Sequence, residues 1–150
     1  MSQPDAPVLT LINHSKSNIP VSEHELREVL SAVEGLRKVS FSTLECVYVE
    51  EDDIVRINKE HLNRDYITDV ISFHYHEKES TENLEGTVVM CVGRISEQAQ
   101  EFDASSEKQE FLRIAAHGML HVSGLDDSSA DDKKNMTTLE NQILETLNYA

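Results

Sequence analysis

Residues 105–127 read SSEKQEFLRIAAHGMLHVSGLDD, and the architecture of the second half of the chain turns on them. Residues 105–123 predict a helix, with Phe111, Leu112, Ala115 and Ala116 on its apolar side. Gly124 predicts the stop, because glycine enters the left-handed conformation beyond a helix end without a Cβ penalty. His117 and His121 are four apart, so both imidazoles project from one helical face. A turn at Gly124 then brings Asp126 and Asp127 back toward those rings. Metal binding needs such convergence: two imidazoles from a rigid helix and a third ligand from a tight turn.

Working outward, VLTLI (8–12) alternates and predicts a first strand. Ser22 and Glu25 form an S-x-x-E capping box before ELREVLSAVEGL (25–36), an amphipathic helix that Gly35 is expected to close. STLECVYVE (42–50) sets Leu44, Cys46 and Tyr48 against Val47 and Val49, the period of a strand. EDDIVRINKEHLN (51–63) spaces Ile54, Ile57 and Leu62 for a helix, with acids in the first turn, where the helix dipole favours them. DVISFHY (69–75) and GTVVMCV (86–92) read as short strands, and the polar HEKESTENLE between them suits an antiparallel or loosely connected pair. RISEQAQEFD (94–103) predicts another helix. SSADDKKNMTTLENQILETLNY (128–149) predicts the last, on Met136, Leu139, Ile143, Leu144 and Leu147. The expected fold is a single α+β domain over residues 1–150, a small mixed or mostly antiparallel sheet with helices packed on it.

The spacing H-x-x-x-H-x-x-G-x-x-D over His117, His121, Gly124 and Asp127 follows the geometric logic of the metzincin zinc proteases. Three protein ligands leave a fourth position for water, the mark of a catalytic rather than a structural site. A bare i,i+4 histidine pair is more often just two helix-surface residues. The glycine turn and the acid at 127 set this pair apart. Gly118 stands where H-E-x-x-H has its glutamate, so the general base of a protease is missing.

Composition bounds the rest. The 150 residues carry 39% hydrophobic and 27% charged side chains, which excludes a mostly disordered chain. No apolar run approaches the roughly 20 residues of a membrane-spanning helix. The opening MSQPDAPVLTLINHS holds Asp5 and no basic stretch, so it does not read as a signal peptide and the expected compartment is the cytoplasm. Cys46 and Cys91 form no C-x-x-C pair and read as buried, reduced thiols. Thirteen Lys and Arg against 28 Asp and Glu leave a net charge of −15, which repels polyanions at long range and leaves room only for a local basic cleft.

HGMLHVSGLDD resembles the H-G-x-L-H-x-x-G-x-D-H motif of the YbeY family of single-strand-specific endoribonucleases, which act in ribosomal RNA maturation. INKEHLNRDYITDVISFHY (57–75) is similar to that family's LN … TDVLSF segment, and LEGTVVMCVGRISEQAQE (84–101) to its GDIVIS … A segment. DDSSADDKKNMTTLENQILETLNY (126–149) is similar to its acidic turn and closing helix, including the E-x-x-I-L end. Together these cover most of residues 50–149 in family order.

The resemblance implies one Zn2+ per chain on His117, His121 and Asp127, and cleavage of single-stranded or ribosomal RNA alongside ribosomal proteins, in rRNA maturation and ribosome quality control. Asp127 stands where the family has a third histidine; its negative charge would leave the bound water less acidified than in an all-histidine site. The family's Gly-Asp pair reads Gly86-Thr87. Arg64, four residues before Thr68, is the nearest candidate for the family's catalytic arginine. Thr68, Asp69 and Ser72 are matched positions that either start the strand or shape a cleft, and His74 and His76 read as a rim pair. Two other functions stay open: a metal-dependent hydrolase of a non-nucleic substrate, and a ribosome-associated binding protein with an impaired metal site.

Overall fold

The computed structural model describes residues 6–101 and 106–149. The alternating N-terminal run forms β1 (Val8–Asn13), which pairs in parallel with β2 (Phe41–Val49) through the crossover helix α1 (Glu23–Arg37). After α2 (Glu51–Leu62), β3 (Val70–His74) and β4 (Leu84–Cys91) form an antiparallel pair with Ile71 opposite Val89, as the polar segment between them suggested. β4 also lies parallel to β2, giving the order β1-β2-β4-β3. The sheet is therefore mixed, and the mostly antiparallel alternative gives way. Helical crossovers join the first strands, and such connections enforce parallel neighbours.

The chain then continues through α3 (Val92–Glu101), α4 (Glu107–Val122) and α5 (Ala130–Thr146). α3 starts directly off β4, two residues before the expected boundary; Phe102 and Asp103, and Ser105 of the next expected helix, lie outside the described residues. Gly35 does not close α1. It sits inside the helix, and Lys38 takes the left-handed conformation (φ 56°) instead. Both expected capping residues act: Ser22 and Glu25 form a reciprocal box, as do Ser129 and Asp132 at α5.

Strand alternation divides the apolar residues between two cores. Leu44, Cys46, Tyr48, Val88 and Met90 face one side, under α1, α4 and α5, and Tyr48 packs its ring 6.1 Å from that of Phe111. Val49, Ile71, Val89 and Cys91 face the other, covered by Ile54 and Ile57 of α2. Both cysteines are buried and free, as expected, and burial pushes the Cys46 thiol up to about 12. Among the described residues no helix is long and apolar enough to cross a membrane.

Candidate metal centre and its cleft

α4 lies against β3 and β4 at very short range, and two glycines allow it. A Cβ on Gly118 would stand 2.4 Å from Val88 Cγ1 and 3.2 Å from Ser72 Oγ. A Cβ on Gly86 would stand 2.5 Å from Val122 Cγ1 and 2.8 Å from the Phe73 carbonyl. The Ser72 hydroxyl donates to the Gly118 carbonyl at 3.1 Å. The glycine in place of the protease glutamate is thus a packing residue that fixes the helix on the sheet.

The end of α4 builds the turn. Ser123 caps the helix, Gly124 follows at φ 103°, and the Gly124 and Leu125 amides donate to the His121 and Leu120 carbonyls at 2.9 and 3.1 Å. This is a Schellman motif, the stop expected of glycine here. It also delivers the Leu125 carbonyl to 2.9 Å from His121 Nδ1. A carbonyl can only accept, so Nδ1 carries the proton and Nε2 keeps its lone pair.

His117 is held in the same sense by a different element. Its Nδ1 lies 2.7 Å from Glu140 Oε2, a carboxylate of α5 with only 7% of its surface exposed. Arg113 stands 3.5 Å from the other Glu140 oxygen and also donates to Asn141. Burial lowers the His117 pKa, but the Glu140 hydrogen bond and the charges of Glu140, Asp69 and Asp127 outweigh it, and the net shift is upward.

The two free nitrogens converge. His117 Nε2 and His121 Nε2 are 3.1 Å apart, and Asp127 Oδ2 lies 3.5 and 3.3 Å from them. Ligand bonds of about 2.0–2.1 Å at tetrahedral angles give edges of roughly 3.3–3.4 Å. The observed triangle brackets that value. With both Nδ1 atoms tied back, its corners are all acceptors, and a cation is what satisfies such a set. His117, His121 and Asp127 could therefore hold a metal ion. Asp126 is committed elsewhere: its oxygens accept from the Asp127 amide and the Ser128 hydroxyl, and these bonds hold its carboxyl below the usual range.

The cluster opens into a cleft of about 450 Å³ lined by Leu62, Thr68, Asp69, Ser72 and His74 as well as the three clustered residues. The matched positions Thr68, Asp69 and Ser72 thus line the cleft, and Asp69 is fixed by the Gln98 amide at 3.1 Å. A second cavity of about 360 Å³ shares His74 and His121 and extends the groove to His76 and Lys78. The His74 and His76 rings, 5.4 Å apart, stand on this rim. Arg64 is not brought to the cluster; it is exposed just past α2, its guanidinium donating to the Tyr66 hydroxyl at 3.2 Å. Thr87 is buried on the sheet face away from α4, where its hydroxyl donates to Glu45 and accepts from Tyr75.

Two further residues of the site, Glu140 and Gln98, carry no role in the sequence reading. Glu140 had a signal: it falls between Met136 and Ile143 on the apolar stripe of α5, where a carboxylate needs a partner. Gln98 had none.

The family described as Endoribonuclease YbeY matches this chain over residues 11–148. The Endoribonuclease YbeY of Ureaplasma parvum serovar 3 is 36% identical over 123 residues, 82% of this chain and 77% of its own length. That of Salinibacter ruber is 31% identical over 147 residues, 94% of this chain and 93% of its own. The solution structure of TM1509 from Thermotoga maritima is similar in fold, with a TM-score of 0.60 at 20% identity, covering 94% of this chain and 92% of that one.

Proposed function

This chain belongs to the Endoribonuclease YbeY family, and from that premise we propose that it is a zinc-dependent, single-strand-specific endoribonuclease of ribosomal RNA maturation and ribosome quality control, acting in the cytoplasm. The observation that carries the metal assignment is the acceptor triangle of His117, His121 and Asp127, with both Nδ1 atoms already engaged. One Zn2+ per chain is the ion whose ligand preference and tetrahedral edge this set fits. Bound there, zinc supplies Lewis acidity toward a phosphodiester oxygen and lowers the pKa of water.

The protein's own groups do the positioning. Glu140 and the Leu125 carbonyl aim the imidazoles, so neither ring has to reorganise. Ser72 locks α4, and with it both histidines, onto β3. Asp69, held by Gln98, presents a carboxylate within the cleft. Arg64 lies on the segment between Leu62 and Thr68, two cleft-lining residues, and its role is to meet charge developing at phosphorus when a strand crosses that rim. A strand would lie in the cleft of about 450 Å³ that Leu62, Thr68, Asp69, Ser72 and His74 line beside the cluster. The net charge of −15 makes binding of naked RNA weak and salt-sensitive, so a ribosome or ribosomal protein supplies the remaining affinity.

The test is elemental analysis of protein purified at neutral pH, followed by cleavage of generic single-stranded and duplex RNA. Stoichiometric zinc and cleavage of the single strand, both lost in His117→Ala, are expected. Metal without RNA cleavage would favour a hydrolase of another substrate. Absence of both would favour a binding protein.

A further inference from the structure

Leu62 and Thr68 line the cleft, and the stretch they bound exposes what a protein surface normally hides. Leu62 is 43% exposed, Tyr66 52% and Ile67 43%, three of the six large hydrophobic residues exposed among those described. Tyr66 and Ile67 fall in the chain between Leu62 and Thr68, two residues that line the cleft. Apolar side chains left exposed next to a cleft are candidates for recognition.

Tyr66 is also held in place. The buried Asn58 donates its side-chain amide to the Tyr66 carbonyl at 3.0 Å, and its main-chain carbonyl accepts from the Arg64 amide at 3.3 Å. The bend between them is fixed by Asn63 in the left-handed conformation, φ 55°. At the far end, Arg64 donates to the Tyr66 hydroxyl. The loop is pinned from inside and the ring at its tip, which leaves about half of the side chain open to solvent. Arg27, Arg56, Arg94 and Arg113 are each paired with a carboxylate; among the described residues Arg37 and Arg64 make no ion pair, and Arg37 donates to Ser123 Oγ at the far end of α4.

We propose that Tyr66, backed by Arg64 and Asn58, is a stacking platform for an unpaired nucleobase at the rim of the cleft. The proposal deepens the nuclease reading and rests on it. Charge decides for this occupant. A chain with 15 excess negative charges gains little from phosphate attraction, whereas base stacking on an aromatic face needs no net charge and tolerates any base. The unpaired Arg64 beside the ring adds a donor fork for the phosphate of the same nucleotide. Inside a duplex both faces of every base are covered by its neighbours, so the platform favours single strands.

The chain has no tryptophan, so Tyr66→Trp installs a single reporter. It is placed in a His117→Ala background that leaves the strand uncut. Adding a short single-stranded oligoribonucleotide should quench the fluorescence saturably. A strand of equal length with abasic positions, and a blunt duplex, should quench it far less. In the active enzyme, Tyr66→Ala should raise KM for the single strand about tenfold, a larger effect than on kcat. Tyr66→Phe keeps the stacking face but loses the Arg64 bond, so its KM should rise much less than that of Tyr66→Ala; melting curves check that all variants fold. Binding without quenching, equal quenching by the abasic strand, or an unchanged KM in Tyr66→Ala overturns the platform while leaving the nuclease reading intact. A wild-type protein that neither binds nor cuts single-stranded RNA overturns both.

Discussion

His117 Nδ1 and Glu140 Oε2 are 2.7 Å apart although 23 residues of chain separate them, so the closing helix aims an imidazole on α4. The Glu140 carboxylate fixes which nitrogen faces the cluster and raises the basicity of the ring. Groups in this position typically contribute 10–100-fold to metal affinity. Glu140→Ala should therefore weaken zinc binding by about that factor, measured by competition with a chromophoric chelator. Glu140→Gln keeps an acceptor for Nδ1–H and should lose less.

Two glycines in helices should respond to alanine with opposite signs. A Cβ placed on Gly35 would meet nothing within 4 Å, and the residue lies inside α1, so Gly35→Ala should stabilise the fold by about 0.5–1 kcal/mol. Gly118 gains the same helix propensity, but its Cβ would meet Val88 Cγ1 at 2.4 Å. Val88 is fully buried and β-branched, so it cannot swing aside. Gly118→Ala should cost about 1–3 kcal/mol net, read from chemical denaturation.

That contrast marks what is legible in the chain. Alternation in 42–50 places Leu44, Cys46 and Tyr48 on one face correctly, because period-2 patterning reports directly on sheet faces. The histidine pair and the glycine turn are legible because helix periodicity and the C′ conformation are local. The parallel pairing of β2 with β4 is not, since α2 and β3 intervene and nothing local encodes that return. Gly35 misleads for a related reason: its conformational freedom permits a stop without demanding one, and α1 runs on past the buried Val33 to Arg37. In the cluster, the ligand spacing is visible. Glu140 is visible only as an acid on an apolar stripe, because its partner comes from another helix.

Glu25 gives the fold a pH dependence. Burial raises its carboxyl, but the Lys108 ammonium, the Ser22 amide and the Tyr149 hydroxyl outweigh it and hold the pKa at about 2, against an ordinary 4.5. A depressed carboxyl contributes stability that is complete above the unfolded value and fades as pH falls from about 4.5 toward 2. Lys108 is 39% exposed, so solvent screening keeps the contribution modest. Lys108→Ala removes the bridge to α4 and should move the acid-unfolding midpoint upward. The difference from wild type should shrink as pH falls through this window.

Asp127 is the proposed third ligand of the candidate metal centre. Its Oδ2 lies 3.3 Å from His121 Nε2 and 3.5 Å from His117 Nε2, so the short side chain stands at about the ligand–ligand spacing of a tetrahedral zinc set. The Schellman turn makes this reach possible, and Asp126 cannot substitute while its oxygens serve the Asp127 amide and Ser128. Asp127→Ala should leave two imidazoles that compete poorly with water, and its loss of zinc affinity should exceed that of Glu140→Ala. Asp127→His keeps three ligands, and the 38% exposure of the native side chain leaves room for an imidazole. It removes one negative charge from the site, so zinc should be retained and would acidify a bound water more strongly. The lower limb of the pH–rate profile should shift downward relative to wild type. Titration of zinc into the metal-free wild type and both variants tests the ligand, and the pH profile of RNA cleavage tests the charge. If Asp127→Ala binds zinc as tightly as wild type, the third ligand is another residue.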